Sequence, residues 1–120
     1  MKKLISTMMM ASALVLTGAA AQAGEIAVIV KTTNSNFWQN VNKGASAAIK
    51  GQEAHSMTFN GPASESAIAD QVSLVENAIN RGVSGIVLAP SDPEALTPVV
   101  KKAFEAQIPV VIIDSGLADN

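Results

Sequence analysis

Short apolar runs alternate along the chain with longer segments whose apolar residues recur every three or four positions. A nearly unbroken apolar run is typical of a parallel strand covered on both faces, and the wider repeat is typical of a helix that packs on a sheet. The pattern predicts four strands, at 25–31, 57–60, 85–89 and 108–114. It predicts three helices between them, at about 37–51, 65–81 and 98–106.

Capping residues and proline set the predicted helix starts. Ser64 is placed to cap the second helix. An interior proline removes a backbone hydrogen bond and clashes with the preceding turn. Pro98 therefore predicts a short turn at 93–96 and then a helix proper that Thr97 caps.

Strand and helix thus alternate three times, and a fourth strand follows. Consecutive parallel strands need crossover connections, which these helices supply in the right-handed sense. The sequence therefore predicts an α/β fold with an open, doubly wound parallel sheet.

The first 23 residues have the three parts of an export signal. Met1-Lys2-Lys3 is a short basic start, an apolar stretch follows at 4–17, and Ala21-Gln22-Ala23 is a cleavage site of the A-x-A type. The alternative is a membrane anchor, but Ser and Thr interrupt a run that is short for a spanning helix. We expect export, cleavage after Ala23 and no membrane insertion of residues 24–120.

The composition of the remaining chain narrows the function classes. Loss of Lys2 and Lys3 with the signal leaves six basic against 10 acidic groups, so no basic surface for nucleic acid or an anionic membrane is expected. The chain has no cysteine, so its fold depends on core packing alone. Residues 24–120 suffice for one small domain.

In a sheet of this class, ligands bind beyond the carboxyl ends of the strands. Four polar segments fall there, at 31–38, 60–64, 90–92 and 114–116. Residues 31–36, which begin the first of these segments, contain no glycine. This segment is therefore neither a dinucleotide-binding loop nor a Walker-type phosphate loop. We therefore expect no cofactor.

The sequence contains few candidate catalytic residues or metal ligands. There is no cysteine nucleophile and no G-x-S-x-G motif. His55 is expected in a solvated loop, because a zinc site needs three or four ligands. Asp92 and Glu94 are expected to be helix-start charges rather than an acid–base pair. We expect a protein that is not an enzyme and has no metal site.

Aromatic, amide and carboxylate groups in the polar segments suit a sugar, which has hydroxyl edges and apolar C–H faces. Asn36 precedes Phe37 and Trp38, and Asp114 is expected opposite them. Phe37 also fits the apolar stripe of the first helix, so a core role and a binding role both stay open for it. Trp38 lies one step off that stripe, so its ring is expected to need a neighbouring lobe or a ligand to cover it.

Six segments follow the export signal in a specific order, at 27–32, 36–38, 43–45, Gln71, 85–92 and 108–114. In that order and spacing they resemble the periplasmic sugar-binding proteins of the ribose, allose and galactose type. The resemblance covers about 25–119. It implies a periplasmic receptor that captures a monosaccharide and hands it to its partner, the permease of a membrane ABC importer.

The resemblance also implies site residues. Lys31 would make a polar contact with the sugar, and Phe37 and Trp38 would be its aromatic walls. Asp114 would accept hydrogen bonds from two sugar hydroxyls.

Three further positions depart from the common pattern of the family. Ser35 stands where an asparagine often contacts the sugar, and Asn36 stands where proline is frequent. Ser115 replaces an arginine that ribose-type members often carry. The loss of that bidentate donor favours a hexose or a related sugar over ribose.

Other interpretations stay open at this point. An exported flavodoxin-like enzyme would need a cofactor loop or an acid–base pair, a receptor for an autoinducer-type signal shares the fold, and a non-functional remnant is a third alternative. Because a full receptor of this family has two lobes, we expect residues 24–120 to be part of the first lobe. Such a fragment is expected to bind sugar weakly or not at all, and to aggregate through the strand at 110–114, left without its outer neighbour.

Overall fold

The computed structural model describes residues 24–119, where four strands and three helices alternate. The strands are β1 (Gly24–Ile29), β2 (His55–Asn60), β3 (Gly85–Leu88) and β4 (Val110–Ile112). The helices are α1 (Asn36–Ile49), α2 (Ile68–Arg81) and α3 (Pro93–Glu105). The predicted export signal, residues 1–23, lies outside the described residues.

The four strands form one parallel sheet in the order β2-β1-β3-β4. Ile29, at the end of β1, is in register with Asn60 of β2 on one side and with Leu88 of β3 on the other. All carboxyl ends therefore meet at one edge of the sheet, and the strand order reverses between β1 and β3. A crevice at such a reversal is where ligands enter sheets of this class. The predicted doubly wound α/β fold is confirmed, and β4 lies at the edge of the sheet as expected.

Helices cover the two faces of the sheet unequally. Successive residues of a strand point to opposite faces, so each strand feeds two separate cores. One set packs on α2 and α3 in a cluster that includes Ala27, Ile29, Ile86, Leu88, Val75, Leu96 and Val99. The other set faces α1 in a smaller cluster of Val28, Val30, Trp38 and Ala89. A groove of about 200 Å³ remains on this second face, lined by Ile26, Val28, Ala45, Ala48, Ile49, Met57 and Val87.

The prediction for the third helix is wrong. α3 begins at Pro93 without a separate turn, and the Asp92 carboxylate caps it by accepting the Ala95 N–H at 2.8 Å. Thr97 is not a cap, because its hydroxyl donates to the Pro93 carbonyl at 2.7 Å inside the helix. Pro98 falls in the second turn, where its missing N–H removes one backbone hydrogen bond. Burial of the apolar side chains on either side of it keeps the helix continuous.

Other boundaries also differ from the prediction. α2 begins three residues later than expected, since the hydroxyls of Ser64 and Ser66 lie 2.9 Å apart and bond to each other instead of capping the helix. β2 begins at His55, which is exposed but belongs to the strand and not to a loop. β4 is shorter than predicted because the N–H of Ile108 bonds to the Ala103 carbonyl and belongs to the end of α3.

Candidate functional site

Lys31 and Asp114 meet at the carboxyl edge of the sheet. Lys31 follows the end of β1, Asp114 follows the end of β4, and β3 lies between these two strands. The Nζ atom of Lys31 lies 2.7 Å from Oδ2 of Asp114, which is the distance of a charge-assisted hydrogen bond. The fold therefore brings together two of the residues that the sequence predicts for a ligand site.

This ion pair is partly open to solvent. The exposed fraction of the side chain is 18% for Lys31 and 35% for Asp114. An ammonium group has three donors and a carboxylate has two acceptor oxygens, so each partner keeps hydrogen-bonding capacity beyond the other. The pair has no net charge. It suits a neutral hydroxyl-rich ligand better than an ion, because an ion would compete with one partner for the other.

Asp114 adopts a left-handed backbone conformation, with φ of 67°. Aspartate tolerates this region better than most residues, because its short polar side chain bonds locally. The conformation lies just beyond the end of β4, where the Ser115 N–H bonds to the Ile113 carbonyl at 2.8 Å. Strained backbone of this kind is concentrated at functional sites.

Ser115 joins this turn to the neighbouring loop. Its hydroxyl donates to the carbonyl of Pro90, a buried residue just after β3, at 2.9 Å. A serine hydroxyl has a single donor, so toward a ligand Ser115 keeps only its acceptor capacity. It therefore cannot supply the two parallel donors that an arginine side chain would offer at this place.

Four consecutive residues of the predicted site form the start of α1. The Ser35 hydroxyl caps the helix by accepting the Trp38 N–H at 3.3 Å. Asn36 is the first helical residue and is exposed. The exposed fraction is 58% for Phe37 but only 3% for Trp38. The helix start thus presents Asn36 and Phe37 to solvent and turns Trp38 inward.

The structure removes one alternative left open for the aromatic pair and contradicts one expectation for it. Of the two roles left open for Phe37, the core role fails, because the inward stripe of α1 consists of Trp38, Val41 and Ala45. The Trp38 ring needs no second lobe or ligand to cover it, since the cluster on the α1 face already buries it. Its Nε1–H also has a partner, the Glu65 carboxylate at 3.2 Å. A stripe that starts at Phe37 and one that starts at Trp38 both have helical spacing, so periodicity alone did not show which of the two faces the sheet.

The loop after β1 is bound to the loop after β2. The Thr32 hydroxyl donates to the Ala63 carbonyl at 3.2 Å, and the Asn34 side-chain amide donates to the same carbonyl at 2.8 Å. A Cβ atom on Gly61 would lie 2.9 Å from the Val30 carbonyl oxygen, so only glycine allows this approach of the two segments. These contacts fix the loop that carries Lys31 and leads into α1.

Gln71 has a role that the sequence reasoning missed. Its side chain is fully buried between the ends of β1 and β3. Nε2 donates to the carbonyls of Val30 and Ala89, and Oε1 accepts the Ser91 N–H. The sequence did contain a signal: Gln71 occupies a position on the apolar stripe of α2, where a polar side chain needs buried partners.

Other parts of residues 24–119 offer less chemistry. This range contains no group of three or more His, Cys, Asp or Glu residues that could hold a metal ion. No helix within it has the length and apolar character needed to cross a membrane. A surface hollow of about 270 Å³ is lined by Glu76, Ile79, Asn80 and Lys102 of α2 and α3. Its lysine and glutamate pair with each other at 2.9 Å and are both well exposed.

Sugar-binding proteins are among the relatives of the chain. It is 38% identical over 91 residues to the D-ribose/D-allose-binding protein of Pseudomonas aeruginosa. It is 32% identical over 104 residues to the D-allose-binding periplasmic protein of Escherichia coli. These alignments cover 75% and 87% of this chain but 28% and 33% of the relatives. The chain therefore spans about a third of the length of the curated relatives it matches.

Solved structures share the fold. An ABC transporter solute binding protein from Agrobacterium vitis with bound D-fucose is 73% identical, with a TM-score of 0.79 over 80% of this chain and 33% of that one. A periplasmic solute binding protein from Actinobacillus succinogenes with bound D-allose is 29% identical, with a TM-score of 0.75 over 80% of this chain and 33% of that one. Residues 26–120 match the periplasmic binding protein domain family. Since that match covers well over half of the chain, the chain belongs to the periplasmic binding protein family.

Proposed function

We propose that the chain forms one wall of a periplasmic monosaccharide receptor that serves an ABC importer. The observation that carries the proposal is the Lys31–Asp114 ion pair, 2.7 Å long, at the carboxyl edge of the sheet. It offers donors and acceptors side by side at the place where ligands enter sheets of this class. The names of the relatives, which are binding proteins for sugars, agree with this chemistry.

In the proposed complex, the sugar hydroxyls donate to the Asp114 carboxylate and accept from the Lys31 ammonium group. Phe37, exposed at the start of α1, covers an apolar C–H face of the ring. Asn36 is next to it and exposed, so its amide can reach a hydroxyl at the rim. Trp38 contributes indirectly, because its buried ring supports the ring of Phe37. Ser35 contributes by capping the helix that carries these residues.

We propose a neutral hexose as the ligand, and D-fucose is the first candidate. The Agrobacterium vitis protein, 73% identical over the shared region, has D-fucose bound. Two features of the site favour a hexose over ribose. The only hydroxyl donor of Ser115 is already bonded to the Pro90 carbonyl, and no arginine follows Asp114. The unlike charges of Lys31 and Asp114 cancel, which disfavours sugar acids and sugar phosphates.

A single wall leaves the second face of the sugar in water. The relatives are about three times as long as this chain, and we propose that the rest of such a protein supplies the facing wall and the contact with the importer. We also propose that residues 1–23 direct export and are removed after Ala23. The mature amino terminus, measured by mass spectrometry on protein from a periplasmic extract, should be Gly24; retention of Met1 in that fraction would contradict this.

Calorimetric titration of the protein from its complete gene, without residues 1–23, tests the sugar assignment. D-fucose, D-galactose, D-allose and D-ribose are titrated separately, with D-galacturonate as the charged control. We expect micromolar or tighter binding of D-fucose, weaker binding of D-ribose and none of the acid. Absence of heat with all four neutral sugars would refute the proposed function, and a preference for the acid would refute the role given to the ion pair.

A further inference from the structure

Gln71 occupies the point where β1 and β3 separate. The ladder between these strands ends at Ile29 and Leu88, and within residues 24–119 no backbone N–H donates to the carbonyls of the next residues, Val30 and Ala89. The Nε2 atom of Gln71 donates to both of them, at 3.0 and 2.8 Å. One amide group therefore continues the pairing of the two strands beyond the sheet.

The same side chain holds one side of the Pro90–Ser91 peptide group. Oε1 of Gln71 accepts the Ser91 N–H at 2.8 Å. On the opposite side of this peptide group, the Pro90 carbonyl accepts the Ser115 hydroxyl at 2.9 Å. Ser115 adjoins Asp114, and the Val30 carbonyl adjoins Lys31. A continuous hydrogen-bonded path thus runs through Gln71 from one partner of the ion pair to the other.

We propose that Gln71 is a positioning residue that sets the separation of Lys31 and Asp114 for the sugar. This inference rests on the proposed function. An unpaired amide in an apolar interior is costly, whereas here every hydrogen bond of the amide goes to backbone at the carboxyl edge. Because these bonds have directions, they define the spacing of the three loops more closely than apolar packing does.

The alternative is that Gln71 only stabilises the fold, and two variants distinguish these roles. Gln71→Leu fills the buried space but makes none of the three hydrogen bonds. Val75→Ala is the matched control, since Val75 is fully buried one turn further along α2, in the same apolar cluster, and its side chain makes no hydrogen bond. Both variants are expected to lose stability, and only Gln71→Leu is expected to lose affinity for the sugar.

Titration with D-fucose and denaturant unfolding are measured on the wild type and both variants, in the protein from the complete gene. We expect Gln71→Leu to bind D-fucose roughly tenfold more weakly, and Val75→Ala to stay within about twofold of the wild type. Equal affinities of Gln71→Leu and the wild type would overturn the positioning role while leaving the proposed function intact. If the wild type binds no sugar, the proposed function fails and the positioning role fails with it.

Gln71→Glu covers the case in which Gln71→Leu does not fold. A glutamate keeps an acceptor for the Ser91 N–H, and when protonated it also regains one donor for a strand-end carbonyl. Its affinity for D-fucose, relative to that of the wild type at each pH, should therefore recover as the pH is lowered. A ratio that stays constant between neutral and acidic pH, with the variant folded throughout, would count against the proposal.

Discussion

The rings of Phe37 and Trp38 stand edge to face, with centroids 4.8 Å apart and an interplanar angle of 84°. One ring is buried and the other is largely exposed, although the two residues are neighbours in the sequence. An edge-to-face pair of this kind holds each ring in a preferred orientation. Trp38 therefore fixes the direction in which Phe37 faces solvent.

Alanine substitutions should separate the roles of these two rings. Trp38→Ala removes a buried ring from the smaller core and should lower the free energy of unfolding by about 3–5 kcal/mol. Phe37→Ala removes an exposed ring and should lower it by less than about 1 kcal/mol. Denaturant unfolding of both variants measures the difference. In titration, Phe37→Ala should lose sugar affinity while remaining folded; a loss of stability equal to that of Trp38→Ala would show that Phe37 belongs to the core.

Asp114→Asn should weaken sugar binding with little effect on the fold. Asparagine keeps the size of the side chain and tolerates the left-handed backbone, but it loses the charge that pairs with Lys31. A partly exposed ion pair contributes about 1 kcal/mol or less to stability, whereas loss of charged hydrogen bonds to a ligand should reduce affinity at least about tenfold. Unchanged affinity of this variant would remove Asp114 from the site.

The ends of α2 and α3 give a second pair of predictions. Gly82 and Gln107 follow their helices with φ of 68° and 60°, so both are left-handed, but only one is glycine. Gly82→Ala should destabilise the protein by about 1 kcal/mol, and Gln107→Gly should stabilise it by roughly 0.5 kcal/mol. Gln52→Gly is the control, because Gln52 is exposed and has no positive φ. Thermal unfolding should rank Gln107→Gly above the wild type and Gln52→Gly below it.

The sequence was sufficient to predict the alternation of strands and helices, because each element has an apolar run or an apolar stripe that extends over many residues. It also placed Lys31 and Asp114 at one edge, since the carboxyl ends of parallel strands coincide. The sequence was insufficient where the same pattern fits two structures equally well and a single residue decides between them. Trp38 and Phe37 both fit a helical stripe, and Pro98 ends a helix in one context and is tolerated in another. The role of Gln71 depends on backbone groups that are distant in the chain, which no local pattern records.

Acid should selectively weaken one contact at the opposite edge of the sheet. The Arg81 side chain, bonded to Glu25 at 2.8 and 3.2 Å, and the Thr58 hydroxyl hold the pKa of Glu25 below its ordinary value of 4.5. A depressed pKa gives stability that is present above about pH 4.5 and is lost as the pH falls through the lowered value. The wild type should therefore exceed Glu25→Gln in stability at neutral pH, and this difference should shrink below pH 4.5.

Denaturant unfolding at several pH values measures that difference. Glu53→Gln, which changes an exposed glutamate in the turn before β2, is the matched control and should differ little from the wild type throughout. A difference between the wild type and Glu25→Gln that stays constant from neutral to acidic pH would contradict the assignment.

Self-association of residues 24–120 should depend on Val111. This residue is 59% exposed on β4, one of the two edge strands of the described sheet. A lysine there opposes edge-to-edge pairing, so Val111→Lys should reduce light scattering by the purified chain. Phe104→Lys is the control, since Phe104 is equally exposed but lies on α3. Equal effects of both changes would point to general surface hydrophobicity and not to the strand edge.

The close approach at Gly61 has a consequence for motion. The space between the Gly61 backbone and the Val30 carbonyl is smaller than a methyl group, and Thr32 and Asn34 bind the same two loops together. Neither loop can shift without displacing the other. We therefore expect the segment that carries Lys31 and leads to Phe37 to move together with the loop after β2. In the receptor that we propose, closure on a sugar would therefore come from movement of the facing wall and not of this loop.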